Sequence, residues 1–140
     1  MANDSSLRSV SLSHVGDGAF TATNVRGGTV TVGSADTDFT PVELLLAAIG
    51  ACTALDVETV TGRRATPESF EVNVDAQKLR DESGNRLTDI GVTFRVKFPD
   101  DAAGDAARAV LPEIVQRSHD RLCTVGRTVE AGTPIATTIE

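Results

Sequence analysis

Residues 40–52 read Thr40-Pro41-Val42-Glu43-Leu44-Leu45-Leu46-Ala47-Ala48-Ile49-Gly50-Ala51-Cys52, and this stretch decides the fold. Thr40 is suited to cap a helix, Pro41 fits the first helical position, and Glu43 completes a capping box with Thr40. The pattern predicts a helix over residues 41–61, ended by the glycine that follows. Because its apolar residues point in all directions, we predict a buried helix with Cys52 in an enclosed place midway along it.

Strands are predicted on both sides of this helix, where alternating or β-branched residues are separated by turn residues. They cover residues 10–15, 19–25, 29–32, 70–79, 90–98 and 134–139, with a hairpin turn at residues 81–85. Residues 105–122 predict an amphipathic helix that Pro112 kinks or splits, and a short turn or helix follows Cys123. The order β-β-β-α-β-β-α-β indicates one α+β domain over residues 1–140, in which helices pack on an antiparallel sheet.

The composition and charge exclude several classes of protein. The chain carries 20 acidic and 13 basic residues, a formal charge of −7, which disfavours nucleic acid as a partner. Residues 1–6 lack the basic and apolar regions of a signal peptide, and the apolar run at residues 44–51 is too short to span a bilayer. We therefore expect a cytoplasmic protein with no membrane partner.

The two cysteines, Cys52 and Cys123, are the candidates for chemistry. Cytosolic cysteines are ordinarily reduced, so a structural disulfide is not expected, and inert packing in the core is the alternative for each. A free thiol titrates near about 8.5, and burial raises this value, so a nucleophilic Cys52 needs a cation beside it. With two histidines in the chain, zinc is not expected, and His119 is predicted to cap or pack near the end of its helix.

The stretch from Thr40 to Cys52 resembles the cysteine helix of the OsmC/Ohr family of thiol-dependent hydroperoxide-detoxifying proteins. The stretch His119-Asp120-Arg121-Leu122-Cys123-Thr124-Val125-Gly126-Arg127-Thr128-Val129 resembles the second cysteine motif of that family. The two motifs, their order and the strands around them cover most of the chain. The resemblance implies an OsmC-like fold that forms an intertwined homodimer.

The resemblance also implies a thiol-dependent peroxide reductase that acts on organic hydroperoxides. Cys52 would attack the peroxide and become a sulfenic acid, Cys123 would resolve it to a disulfide, and a dithiol or lipoyl-type reductant would restore both thiols. No metal or organic cofactor is implied. Arg26, in a glycine-containing turn between early strands, matches the family's catalytic arginine.

The carboxylate that holds this arginine in the family departs from the pattern. The family has Glu directly after the helix-starting Pro, where this chain has Val42, and Glu43 follows one residue later. One residue turns a helix by about 100°, so Glu43 is explained more simply as the capping-box acid. Asp56 shares a helix face with Cys52. Three roles are open for it: it holds Arg26, it repels the thiolate, or it pairs with another residue.

Two alternatives to the enzyme stay open. One is a non-enzymatic OsmC-like dimer that binds a small apolar ligand around Cys52 or senses oxidation, which Val42 favours. The other is a structural partner protein with inert cysteines, in which Cys52→Ser would change only stability. Turnover of peroxide with a dithiol separates the enzyme from both.

Overall fold

A computed structural model describes residues 5–34 and 38–140. The first four residues, which belong to the stretch predicted not to be a signal peptide, lie outside the described residues. The contacts divide the chain into two compact units, Met1–Leu45 and Leu46–Glu140, and the boundary falls inside a helix. The prediction of a single domain over residues 1–140 stays a prediction.

The first unit contains a three-stranded antiparallel sheet in the order β1-β2-β3. The strands are β1 (Val10–Gly16), β2 (Ala19–Asn24) and β3 (Thr29–Gly33), close to the predicted bounds. The turn from β2 to β3 contains Gly27, whose φ of 89° favours glycine. Local turn chemistry and alternation therefore predicted this sheet correctly.

Helix α1 spans Pro41–Thr61, as predicted, and it begins with the predicted capping box. The backbone N–H of Thr40 donates to Glu43 Oε1 at 2.9 Å, and the backbone N–H of Glu43 donates to Thr40 Oγ1 at 3.2 Å. These reciprocal bonds satisfy two backbone donors that the helix start leaves free.

The prediction that α1 is buried all round is wrong for the single chain. Its buried residues are Ile49, Gly50, Thr53, Val57 and Thr61, whereas Leu55 is 62% exposed. The physical reason is that α1 packs along one stripe, and its other apolar residues lack such cover. By length and composition alone α1 is also apolar enough to cross a membrane, a test that the core helix of a soluble protein passes equally.

A long hairpin follows in the second unit. Strands β4 (Ser69–Asp81) and β5 (Gly84–Lys97) pair antiparallel; β4 extends beyond its predicted strand at both ends, whereas β5 begins earlier than predicted and ends one residue before the predicted end. Their cross-strand pairs Val72–Phe94 and Val74–Val92 include the two valines, Val72 and Val74, that lie nearest to Gly50 of α1. A Cβ on Gly50 would lie 2.7 Å from Val74 Cγ2, so this glycine allows the helix to rest closely on β4.

The second half of the unit contains helix α2 (Ala102–Arg117), which Asp101 caps by accepting a hydrogen bond from the Gly104 backbone N–H at 2.7 Å. Pro112 lies inside α2 without splitting it. The predicted helical end at residues 118–122 is instead a π-helical turn, Ser118–Leu122. A small core of Ala65, Phe98 and Ala107 lies under this region.

Helix α3 (Thr124–Glu130) follows Cys123, as predicted, but the predicted last strand is wrong. Residues 133–140 form no strand, and Ile135 and Ile139 are 91% and 94% exposed. A strand requires a neighbour for its backbone hydrogen bonds, and the described part of this chain pairs none with residues 134–139. The fold class is nevertheless confirmed as α+β, with antiparallel sheets and three α-helices.

Candidate functional site

The two cysteines are brought together in the second unit. Cys52 is half-buried on α1, and Cys123 is 3% exposed at the junction between the π-helical turn and α3. The Cys52 thiol is near enough to Cys123 to raise the pKa of the Cys123 thiol. The fold therefore provides two adjacent free thiols from distant parts of the sequence.

The environment of Cys123 favours its neutral thiol. Burial is the largest cause that raises the pKa of Cys123, and the hydrogen bond that the Gly126 backbone N–H donates to Cys123 Sγ at 3.3 Å lowers it. The neighbouring thiol of Cys52 and the charge of Asp56 raise this pKa further. At neutral pH Cys123 is therefore protonated, which suits the second thiol of a pair better than the first nucleophile.

A chain of hydrogen bonds lies beside the thiols. Ser118 Oγ donates to Asp56 Oδ2 at 2.8 Å, and Thr53 Oγ1 lies 2.8 Å from the same Ser118 oxygen. The sequence left Asp56 to hold Arg26, to repel the thiolate or to pair elsewhere. In the structure its carboxylate pairs with the hydroxyl of Ser118. Thr53 and Ser118 were missed by the sequence analysis, although one follows Cys52 directly and the other lies five residues before Cys123.

A mostly apolar pocket of about 430 Å³ opens onto Cys123. It is lined by α1, β5, α2, the π-helical turn and α3. The lining residues are Ile49, Thr53, Ile90, Val92, Phe94, Val115, Gln116, His119, Cys123, Gly126, Val129 and Glu130. A volume of this size accommodates a small organic molecule.

His119 stands at the edge of this pocket between two carboxylates. Its Nδ1 lies 2.9 Å from Asp120 Oδ1 and its Nε2 lies 3.0 Å from Glu130 Oε1. The hydrogen bond to Asp120, followed by that to Glu130, raises the pKa of His119 above its ordinary value. His119 thus joins the π-helical turn to α3. It was predicted to cap or pack near the end of its helix, and it lies in the turn that follows α2.

Glu43 and Arg26, the other predicted residues, lie in the first unit. Hydrogen bonds from Thr40, the backbone first and then the side chain, lower the pKa of Glu43, which serves as the capping acid. Arg26 is exposed in the β2–β3 turn, where Asn24 Oδ1 accepts the backbone N–H of Arg26 at 2.9 Å. The expected approach of Arg26 to Cys52 would be a contact between residues of different units, and it stays a prediction.

Comparison with known proteins identifies the family. A family model described as OsmC-like protein matches residues 33–138. Uncharacterized proteins of Mycobacterium tuberculosis and Mycobacterium bovis are 30% identical over 114 residues, which are 80% of this chain and 81% of each relative. The match to the family model extends through both cysteine motifs.

Solved structures give the same fold. An OsmC-like protein of unknown function from Vibrio cholerae aligns with a TM-score of 0.74 at 17% identity, over 89% of this chain and 94% of that one. An organic hydroperoxide resistance protein of Bacillus subtilis aligns with a TM-score of 0.51 at 22% identity, over 86% and 90% of the two chains. The resemblance found in the two cysteine motifs is confirmed, and the chain belongs to the OsmC-like protein family.

Proposed function

We propose that this protein is a thiol-dependent peroxide reductase that acts preferentially on organic hydroperoxides through Cys52 and Cys123. The observation that carries the proposal is the adjacency of the two free thiols beside an apolar pocket. A thiol pair within reach of each other is the requirement for reversible oxidation to a disulfide.

The reaction has two balanced steps on the protein. The Cys52 thiolate attacks the distal oxygen of the hydroperoxide, the O–O bond breaks, and the products are Cys52 sulfenic acid and an alkoxide that is protonated to the alcohol. The sulfur of Cys123 then attacks the Cys52 sulfur, and the thiol proton leaves with the sulfenic hydroxyl as water. A dithiol or lipoyl-type reductant in the cytoplasm then reduces this disulfide to two thiols by thiol–disulfide exchange, and the reductant is itself oxidised to a disulfide.

The pocket supports an organic peroxide rather than hydrogen peroxide alone. Apolar side chains from α1, β5 and α3, among them Ile49, Val92 and Val129, form most of its wall. Burial of an alkyl or aryl group there removes apolar surface from water, at about 25 cal/mol per Å². Cumene hydroperoxide should therefore oxidise the protein faster than hydrogen peroxide.

The direct test is to titrate thiols before and after one equivalent of cumene hydroperoxide, with peptide mass mapping of each cysteine. We expect loss of two thiols and a Cys52–Cys123 disulfide, whereas Cys123→Ser should stop at a Cys52 sulfenic acid that a dimedone-type reagent captures. In parallel, Arg26→Gln should slow oxidation of Cys52 if the arginine is its activating cation. An unreactive Cys52 in the unsubstituted chain would refute the proposal.

A second candidate, a ligand-binding or oxidation-sensing dimer with little turnover, is favoured by two observations. Cys52 and Asp56, which act on Cys123 through charge, both raise its pKa, and this slows the resolving step. Val42 at the position of the family's carboxylate points the same way. Many turnovers of peroxide with dithiothreitol would exclude this candidate, and a single stoichiometric oxidation followed by arrest would favour it.

We further propose that the working protein is a homodimer. Large apolar side chains are exposed in the single chain, including Leu12 at 57%, Leu55 at 62% and Ile135 at 91%. Burial of such side chains against a second copy would remove apolar surface from water, and residues 134–139 have strand-forming composition without a strand partner among the described residues.

Light scattering after gel filtration tests the dimer. We expect about twice the 14.6 kDa mass of the chain for the unsubstituted protein, and a shift toward monomer for Leu55→Glu. The exposed Glu58→Gln, on the same helix, is the matched control and should leave the mass unchanged. A monomer at high micromolar concentration would contradict this proposal.

A further inference from the structure

A buried chain of polar side chains links the two cysteine-bearing segments. Ser118 is fully buried and Thr53 is 7% exposed. Because the carboxylate of Asp56 accepts the hydrogen of Ser118 Oγ, that oxygen is left to accept from Thr53 Oγ1, 2.8 Å away. The hydrogen bonds therefore run in one direction, from Thr53 through Ser118 to Asp56.

Ser118 also positions Cys123 directly. The backbone N–H of Cys123 donates to the backbone oxygen of Ser118 at 2.8 Å, which closes the π-helical turn. One residue thus holds Cys123 through its backbone and Asp56 through its side chain. Because Asp56 lies one helical turn after Cys52 on α1, this arrangement fixes the carboxylate on the helix face that carries Cys52.

We propose that Asp56, anchored by Ser118 and Thr53, is a positioning residue whose charge adds to burial in keeping Cys123 the neutral, second thiol of the pair. Its fixed negative charge favours the neutral thiol of Cys123, so the first attack on a peroxide is left to Cys52. The inference rests on the proposed redox function. The effect of Asp56 on the titration of Cys123 can nevertheless be measured without any peroxide.

The charges around Cys123 support this assignment. From α1, Cys52 and Asp56 act on Cys123, and Asp56 raises its pKa together with burial, the largest cause. The titratable groups of the π-helical turn and α3 in the same pocket are His119 and Glu130, which bind each other. Strand β5 and helix α2 contribute uncharged side chains to the pocket. Asp56 is therefore the carboxylate whose replacement should change Cys123 most directly.

The role suits the order of events in the two-step reaction. A Cys123 thiolate formed before oxidation would compete with Cys52 for the peroxide. A neutral Cys123 waits until Cys52 is a sulfenic acid, and its proton then leaves with the hydroxyl as water, so no further oxidant is consumed.

The test measures the pH dependence of alkylation at each cysteine of the full chain with iodoacetamide, resolved by peptide mass mapping. In Asp56→Asn, which preserves the shape of the side chain, we expect Cys123 to react about three- to tenfold faster at a fixed pH below its midpoint, with the midpoint moved to lower pH. The control Glu58→Gln removes an exposed carboxylate of the same helix and should leave the Cys123 profile unchanged.

Ser118→Ala provides the second variant. It leaves the charge of Asp56 but removes its anchor, so the Cys123 midpoint should again move to lower pH, by less than in Asp56→Asn. If Asp56→Asn does not fold, the Ser118→Ala profile decides. A Cys123 profile identical to that of the unsubstituted protein in the folded variants overturns the proposal. Failure of peroxide turnover with a shifted alkylation profile would instead overturn only the proposed enzyme.

Discussion

Gly50→Ala tests the contact that places Cys52. The added Cβ would lie 2.7 Å from Val74 Cγ2 and 3.6 Å from Val72 Cγ1. Carbon atoms pack best at about 3.5–4.0 Å, so the nearer contact is short by about 1 Å. Val74 is β-branched and pairs with Val92 across the hairpin, so it has few other rotamers to adopt.

The expected magnitude follows from two opposing effects. Overpacking costs about 1–3 kcal/mol, and alanine in place of glycine inside a helix stabilises by about 1 kcal/mol. Gly50→Ala should therefore lower the free energy of unfolding by about 1 kcal/mol in urea titrations. Because α1 must move away from β4, formation of the Cys52–Cys123 disulfide under a mild oxidant should also slow.

The double variant Gly50→Ala/Val74→Ala makes the test specific. Removal of the Val74 methyl groups gives the new Cβ room, so the two substitutions should couple favourably by about 1 kcal/mol in a double-mutant cycle. Gly91→Ala is the control, because a Cβ there meets nothing within 4 Å. A Gly50→Ala protein that is more stable than the unsubstituted chain, with no coupling to Val74, would refute the packing of α1 on β4.

Three further changes test separate parts of the molecule. Ser118→Ala should lower the free energy of unfolding by about 1–3 kcal/mol in urea, because it leaves two partly or fully buried hydrogen-bonding groups without their partner. Asp120 and Glu130 raise the pKa of His119 in the folded protein. The protonated His119 therefore makes its whole contribution to the free energy of unfolding below about pH 6.5, and this contribution is lost as the pH rises through the raised pKa. His119→Gln should therefore be less stable than the unsubstituted chain at acidic pH, by less than about 1 kcal/mol at this exposed site, and more nearly equal at alkaline pH. Thr40→Ala should cost about 1 kcal/mol in thermal or urea unfolding, because it removes the helix cap.

Each of these changes has its own check. Ser83→Ala, at an exposed turn, should be nearly neutral, and an equal loss in it and in Ser118→Ala would contradict the buried network. Salt at 1 M, where the Debye length is about 3 Å, should weaken the pH dependence of the His119→Gln difference. Thr66→Ala, at an exposed position outside the helices, should show that loss of a threonine hydroxyl alone does not lower stability.

The bounds of α1 were predictable because the signals that start it are local. Thr40 and Glu43 are three residues apart, and both of their hydrogen bonds close within one turn. The strands of the first sheet were similarly predictable from alternation and glycine turns, and each strand has its neighbour close by in the chain. The two cysteine motifs were visible for the same reason, since each is a short run of residues.

The wrong predictions concern features that depend on contacts with residues distant in the sequence, which a short stretch of sequence does not reveal. Residues 134–139 have the composition of a strand, but strand formation depends on a pairing partner. Strands β4 and β5 pair with each other. The apolar surface of α1 indicated burial, yet a helix is buried only where another element covers it, and Leu55 remains exposed. Pro112 was expected to kink or split its helix, but the irregular turn formed further on, at Ser118–Leu122.

The sequence by itself determined the α+β class, the helix that carries Cys52 and the family to which the chain belongs. The tertiary structure alone decided that Cys52 meets Cys123, that Ser118 bridges Thr53 and Asp56, and that an apolar pocket opens onto the second thiol. The physical reason is separation along the chain. Capping, alternation and turns act over a few residues, whereas these contacts join residues more than sixty positions apart, and only the packing of α1 against the C-terminal helices brings them together.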